Sequence, residues 1–391
     1  MNNTIKKNVL CLSVMENWGG GEEFLLHLNH NVKDFHCIIV TPEGETSKKF
    51  QENEVDYIIL NSIKKIYRKE NQWKFSEKLF LCWNIFCSIP QLLWIIYSRN
   101  ISCILLNGNF AGLFGIIPGI LSRKKILSIQ HLIYEKKSPD IKFLSIINHF
   151  AHQCVCVSHA VLENISVLLR KKFRPSKYTV IHNGISLPPK KSQKKYYTIV
   201  RIGIIGSIIR TKGIDIIIEC VGKIKKNNPE LSLEVLLFGN VRDSEDSRKY
   251  QRELKNQIQF GNLENIVHWQ GYADSKEKMY SNVDIVVNYS QVPESFSLVV
   301  AEAMVHKKIV IAANIGGPKE IITNKQNGFL VEPNNPQLLQ NILEYCIQNI
   351  YSAEFEKIRE YAYTTIKNNF SIEQFALNYN KLFHQLINFL K

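Results

Sequence analysis

Short apolar runs alternate with amphipathic stretches along the whole chain. In the first half, apolar runs bounded by turn residues predict strands at Asn8–Val14, His36–Thr41, Tyr57–Leu60, Ile101–Leu106, Lys125–Gln130 and Cys154–Ser158. Helical periodicity lies between them, as at Glu22–Asn31 and Ala160–Lys171. Strands that are apolar nearly throughout, separated by helices, predict a parallel, doubly wound sheet with both faces covered. Tyr178–His182 reads as a further strand, closed by the Asn183-Gly184 turn.

A break follows. Leu187–Lys195 is polar, carries two prolines and has no period, which predicts a linker. The alternation then restarts. Strands are predicted at Thr198–Ile205, Leu233–Phe238, Ile266–Trp269, Ile285–Asn288, Ile309–Ala312 and Gly328–Val331, and helices at Gly213–Lys225, Ser297–Val305 and Pro318–Thr323. From Pro336 onward the pattern is helical, ending in an amphipathic helix over Ile372–Leu390. The expected architecture is α/β: two Rossmann-like, doubly wound parallel-sheet domains over residues 1–187 and 188–371, facing each other across a cleft.

Leu79–Tyr97 is the longest apolar stretch. Asn84, Pro90 and Gln91 interrupt it, so it is expected as a buried or membrane-surface helix that the proline breaks into two pieces, rather than as a membrane span. At the start of the chain the apolar run Val9–Met15 is short and a glycine loop follows directly, which predicts a first strand and not a signal peptide.

Composition narrows the function. The 391 residues are 45% hydrophobic and 21% charged, enough to bury a sizeable core. Residues 1–190 carry 24 Lys and Arg against 14 Asp and Glu, so most of the net charge of +14 lies in the first half. Runs such as Arg123-Lys124-Lys125, Lys136-Lys137 and Arg170-Lys171-Lys172 are either solvated faces or a surface for an anionic membrane or substrate. Nothing resembles a zinc finger or an aromatic-interleaved basic motif, so nucleic acid is not an expected partner. The nine cysteines form no CxxC pair and sit mostly in apolar strings, as free thiols of a reducing, cytoplasmic compartment do.

Three segments carry candidate chemistry. Gly19, Gly20 and Gly21 lie between a strand and the helix starting at Glu22, where backbone can approach a phosphate and free N–H groups can meet it; a plain structural turn has the same residues. Gly206 to Gly213 again joins a strand to a helix and adds Arg210 and Lys212, two cations that suit a diphosphate, or merely solvent. Third, Glu294 precedes a helix and Glu302 lies two turns inside it. A carboxylate on an apolar helix needs a partner, and ribose or sugar hydroxyls can donate to one. The backbone N–H groups of Phe296, Ser297 and Leu298 are the donors expected at that helix start; an acid near a helix start followed by a surface glutamate would look alike.

With these residues in order, the chain resembles the retaining glycosyltransferases of family GT4, which have the GT-B fold. Glu294 and Glu302 reproduce the family's E-x7-E motif. It is flanked by Tyr280–Val287, by Ala301-Glu302-Ala303-Met304, by Ile315-Gly316-Gly317-Pro318 and by Asn327-Gly328-Phe329-Leu330-Val331. Gly19-Gly20 and Glu22 look like its N-terminal glycine loop, and Val180–Ile185 like its strand and turn into the linker. The resemblance implies that Glu302 holds the nucleotide ribose, Glu294 contacts the donor sugar and Lys212 binds the diphosphate, while His131, at the end of a first-domain strand, faces the reacting sugar. It also implies that the closing helix, residues 372–391, returns to the first domain, which meets the acceptor, while the second binds the donor. One departure is Ser207, where the family often has Arg; Arg210 lies three residues on.

The implied reaction moves a sugar from a nucleotide-diphospho-sugar, a UDP-sugar by preference, to a hydroxyl of a glycan or lipid-linked acceptor with retention. Surface polysaccharide synthesis is the expected setting, at the inner face of the cell membrane. No metal and no cofactor beyond the co-substrate is expected, since no Asp-x-Asp pair stands in position; Asp243 and Asp246 are separated by Ser244-Glu245. The alternative is a non-catalytic sugar-nucleotide-binding or scaffold protein on the same fold.

Overall fold

The structure is a computed structural model and describes residues 6–63, 74–136, 138, 140–188, 199–273 and 275–388. The predicted linker from residue 189 onward, Thr198, Lys137 and the last three residues of the closing helix lie outside these. Two compact units are present: Met1–Gly184 with Ile372–Lys391, and Ile185–Ser371.

Among the described residues, the first unit alternates strand and helix up to its last strand. In order it runs β1 (Lys7–Leu12), α1 (Gly20–Asn31), β2 (Phe35–Thr41), α2 (Glu45–Glu52), β3 (Tyr57–Ile59), α3 (Phe75–Ser98), β4 (Ile101–Asn107), α4 (Asn109–Leu121), β5 (Lys125–Gln130), α5 (Asp140–Phe150), β6 (Gln153–Cys156), α6 (His159–Leu169) and β7 (Tyr178–Val180). All pairings are parallel, in the order β3-β2-β1-β4-β5-β6-β7. The central strands are buried on both faces, as Val9, Leu10, Cys11, Ile104 and Leu105 show, which is why their sequences are apolar without alternation.

The second unit repeats the plan. It contains β8 (Val200–Ile205), α7 (Ile214–Asn227), β9 (Leu233–Phe238), α8 (Glu245–Phe260), β10 (Val267–Gly271), α9 (Lys276–Ser281), β11 (Ile285–Asn288), α10 (Leu298–Val305), β12 (Ile309–Ala313), α11 (Pro318–Ile321), β13 (Phe329–Val331), α12 (Pro336–Gln348) and α13 (Ala353–Asn369). Its parallel sheet has the order β10-β9-β8-β11-β12-β13. Both sheets therefore reverse their winding beside their first strand, between β1 and β4 and between β8 and β11. Ligands of such sheets bind at the carboxyl ends of the strands at that point.

The last helix, α14 (Ile372–Asn388), belongs to the first unit. Phe375 and Tyr379 each set their rings 5.5 Å from Phe24 of α1, and Phe383 lies 5.2 Å from Phe35. Burying a ring such as Phe24, 3% exposed, contributes about 2–3 kcal/mol.

One sequence expectation is corrected here. Pro90 does not break Leu79–Tyr97 in two; α3 is continuous through it. Proline removes one N–H and crowds the carbonyl of Phe86. The turn is supported locally, because Ser88 Oγ donates to the Ile85 carbonyl (2.8 Å) and Gln91 Nε2 to that of Cys87 (3.1 Å). Pro90 and Phe86 are also exposed, which leaves the orphaned carbonyl within reach of water. Of the nine cysteines seven are buried; Cys82 and Cys87, both on α3, are not.

Candidate functional site

In the second unit, β8 ends at Ile205, Gly206 follows it, and a short 3-10 turn, Arg210–Lys212, leads into α7 through Gly213. Gly213 has φ +63°, and a Cβ there would lie 2.5 Å from the Tyr289 carbonyl. Only glycine fits, so the loop after β8 lies directly against the loop after β11. Gln291 N–H donates to the Thr211 carbonyl (2.7 Å) across the same contact.

This contact delivers Lys212 to Glu294. Their side chains form an ion pair with the lysine 26% and the glutamate 15% exposed. Asn288, the last residue of β11, donates to the other oxygen of Glu294 at 3.0 Å and to Ser297 Oγ at 2.7 Å. Behind Glu294, the Gly317 N–H donates to its carbonyl (2.7 Å). A Cβ on Gly316 would come within 2.4 Å of that carbonyl, and one on Gly317 within 2.4 Å of the Phe296 carbonyl. The Gly316-Gly317 step is thus the floor on which the Glu294 loop rests. Burial pushes the Glu294 carboxyl up, but Lys212, Ser297 and Asn288 outweigh it and hold it below the usual carboxylate range. Glu294 is therefore ionised at neutral pH.

Ser297 caps α10 from the left-handed region, φ +73° and ψ +74°, a conformation costing a non-glycine residue about 1 kcal/mol or more. The Asn288 bond to its hydroxyl helps hold it there. The first N–H groups of α10, from Leu298, have no partners within the helix.

One turn and more into α10 stands Glu302, with its side chain 13% exposed. Lys276 Nζ donates to one oxygen (2.7 Å) and the Tyr280 hydroxyl to the other (3.0 Å). Tyr280 is fully buried and stacks on His306 with centroids 4.6 Å apart. His306 Nδ1 in turn meets the Glu302 carbonyl at 2.7 Å. Arg210 goes elsewhere: it pairs with Glu253 of α8 and lies over the Tyr250 ring, 4.8 Å from its centre. The structure thus gathers Lys212, Glu294, Phe296, Ser297 and Leu298 with the loop after β8, sets Glu302 further along α10, and leaves Arg210 facing α8.

The first unit builds a separate cluster. Gly19 caps α1, and Gly20 and Gly21 form its first turn. Glu22 is buried and accepts from Ser13 Oγ (3.0 Å). Asn107, the last residue of β4, donates from Nδ2 to the Gly21 carbonyl (3.1 Å). A Cβ at Gly21 would sit 3.3 Å from that amide nitrogen. The Asn107 oxygen faces His131 Nε2 at 2.7 Å. Since the Asn107 nitrogen is committed to Gly21, its oxygen must accept, which assigns the proton of His131 to Nε2 and the lone pair to Nδ1. Burial lowers the His131 pKa to about 4, so the ring is neutral at physiological pH.

Sequence reasoning missed Asn107, Asn288, Lys276 and Tyr280 as parts of these clusters. The two asparagines had a readable signal: each is the polar residue closing a strand whose preceding residues are apolar, ILLN and IVVN, beside the point where its sheet reverses. Lys276 and Tyr280 had none, because their approach to Glu302 depends on the path of α9.

Two Rossmann-order sheets, each with polar side chains collected at the carboxyl edge of its reversal point, define an α/β protein of GT-B type. Residues 189–365, a little under half of the chain, match the family described as glycosyl transferases group 1. The poly(ribitol-phosphate) α-N-acetylglucosaminyltransferase of Staphylococcus aureus is 29% identical over 48% of this chain and 35% of its own length. An uncharacterised glycosyltransferase of Methanocaldococcus jannaschii is 23% identical over 97% of this chain and 98% of its own. The first curated relatives are matched over only 35–40% of their length. Among solved structures, Anabaena Alr3699/HepE in complex with UDP and glucose superposes with a TM-score of 0.80 at 21% identity, over 97% of this chain and 99% of that one. It shares the fold.

Proposed function

We propose that this glycosyltransferase moves a sugar, with retention, from a nucleotide-diphospho-sugar to a hydroxyl of a glycan or lipid-linked acceptor. The observation carrying the reading is the Lys212–Glu294 pair, held between the loops after β8 and β11 and oriented by Asn288. Of the three ammonium protons one is committed to Glu294, leaving two for diphosphate oxygens. The N–H groups at the start of α10 add the positive end of a helix to the same place. A cation and a helix start that stabilise the departing diphosphate need no metal. Arg210 is a second cation for that charge, because its pair with Glu253 is exposed and cheap to exchange.

Glu294 is ionised, and Lys212, Asn288 and Ser297 leave one of its four lone-pair sites to accept a hydroxyl of the donor sugar. Glu302 takes the ribose hydroxyls. Gly19 and Gly20 supply backbone N–H groups, and His131 offers a neutral Nδ1 acceptor toward the reacting sugar. UDP is the favoured nucleotide; the Anabaena structure that shares the fold holds UDP. The staphylococcal relative's polyol-phosphate polymer supports a surface polysaccharide acceptor. We infer a cytoplasmic enzyme working at the inner face of the membrane, the setting that an acceptor of this kind would suit.

Thermal unfolding in the presence of UDP, GDP, ADP and their common sugars tests the reading. A UDP-specific rise in midpoint, absent in Glu302→Ala, together with slow release of UDP from a UDP-sugar, is the expected result. Binding without any turnover would favour a non-catalytic sugar-nucleotide-binding protein, and no binding of any nucleotide would sink both.

A further inference from the structure

Helix α3 is apolar on two opposite sides. Leu81, Asn84, Ser88, Leu92 and Ile95 face the interior of the first unit and are buried. At 3.6 residues per turn, Phe75, Leu79, Trp83, Phe86, Trp94 and Tyr97 fall within roughly 100° of arc on the reverse side. All six are exposed, by 56–77%. At the area an aromatic ring carries, their open surface is roughly 700 Å², beyond the largest apolar patch usual on a soluble monomer. Trp83 and Phe86 lie together with centroids 6.1 Å apart. Ile117, Ile120 and Leu121 of α4, which packs on α3, are exposed as well.

Charge is arranged around this face rather than on it. Between Phe75 and Ser98 the sole charged residues are Glu77 and Lys78, and α4 has none. Exposed cations bracket both helices: Lys74 and Lys78 at the start of α3, Arg99 at its end, and Arg123 just after α4. The ten sequence positions before Lys74 add Lys64, Lys65, Arg68 and Lys69 against Glu70 alone.

We propose that the outer face of α3, with the end of α4, docks on an anionic lipid bilayer, the helix lying in the plane of the interface. This deepens the membrane-side part of the proposed function and does not rest on its donor chemistry. Tryptophan, tyrosine and phenylalanine in one stripe with a cationic rim are the composition of an interfacial helix. The rim is complementary to anionic headgroups, and each lysine or arginine near such a surface adds attraction that salt screens. Among the described residues α3 is the single helix long and apolar enough to cross a membrane. Crossing would require pulling Leu81, Leu92 and Ile95 out of the core they share with β4, so it lies on the bilayer rather than through it. Pro90, exposed on the outer face, has its deprived carbonyl partner where headgroup water remains.

The test is flotation of the full chain with phosphatidylglycerol-containing vesicles and with pure phosphatidylcholine vesicles, at low and high salt. Wild type is expected to float with the anionic vesicles at low salt, less at high salt, and to have Trp83 and Trp94 fluorescence quenched by bromolipid. The triple variant Trp83→Ser, Phe86→Ser, Trp94→Ser is expected to bind at least tenfold more weakly, with melting temperature and UDP response unchanged. No flotation of wild type at low salt, or a variant that floats like wild type, overturns the proposal. So does resistance to alkaline carbonate extraction, which would mark a spanning helix. A wild-type dimer that the variant dissolves, without vesicle binding, would assign the face to a second copy instead. Loss of the UDP response in wild type would strike the donor reading and leave the docking result standing.

Discussion

The Lys212 ammonium is ion-paired to the Glu294 carboxylate, tying the loop that follows the first strand of the second unit to the loop that follows its fourth. Either partner alone is a part-buried charge without its counterion. Glu294→Ala is expected to lower stability by about 1–3 kcal/mol, less than a fully buried pair costs because both groups keep some solvent. Lys212→Ala should weaken UDP binding roughly 10–100-fold. Urea unfolding and titration calorimetry measure the two effects. A Lys212→Ala protein binding UDP like wild type would remove Lys212 from the donor site.

Glu302 can be tested through the sugar of the nucleotide itself. If it accepts ribose hydroxyls, wild type should prefer UDP over 2′-deoxy-UDP, or over the 3′-deoxy analogue, by roughly tenfold or more, and Glu302→Ala should bind all of them alike and weakly. Equal discrimination in both proteins would assign the carboxylate to a structural role with Lys276 and Tyr280.

The His131 ring gives a pH signature. Its folded pKa, about 4, lies below the unfolded value near 6.5. The unfolded state therefore binds the proton first, and stability falls as pH drops from about 6.5 toward 4, then stops changing on this account. His131→Asn should flatten that part of the curve of urea midpoint against pH. An unchanged slope would mean that the ring titrates normally.

Gly316→Ala combines a left-handed backbone, φ +65°, with a Cβ placed 2.4 Å from the Glu294 carbonyl. The conformation alone costs about 1 kcal/mol and the clash adds to it. We expect a melting temperature lowered by a few degrees and a UDP response reduced further than the stability loss explains, because the floor under Glu294 moves. A variant destabilised yet with full UDP affinity would separate the glycine step from the site.

Much of the fold was legible because a strand buried on both faces can hardly be anything but apolar. Val200–Ile205 and Ile309–Ala313 announce themselves for that reason. Glu294, Glu302 and Lys212 were legible from their order along the chain. Their partners were harder to see, since Tyr280 meets Glu302 through the path of α9, and Arg210 turns to Glu253, 43 residues on, across a helix face that no local pattern specifies. The continuity of α3 through Pro90 escaped because the rescuing donors, Ser88 and Gln91, act through side chains rather than through helix periodicity.

The last helix carries one more consequence. Phe24 and Phe35 are covered by rings from Phe375, Tyr379 and Phe383, which the ribosome makes only after the whole second unit. At roughly 5–20 residues per second, that leaves the apolar flank of α1 and β2 without its cover for about 20–70 s of synthesis. The nascent first unit is thus a natural client for chaperones during translation, and ribosomes stalled before Ile372 should release a product that aggregates.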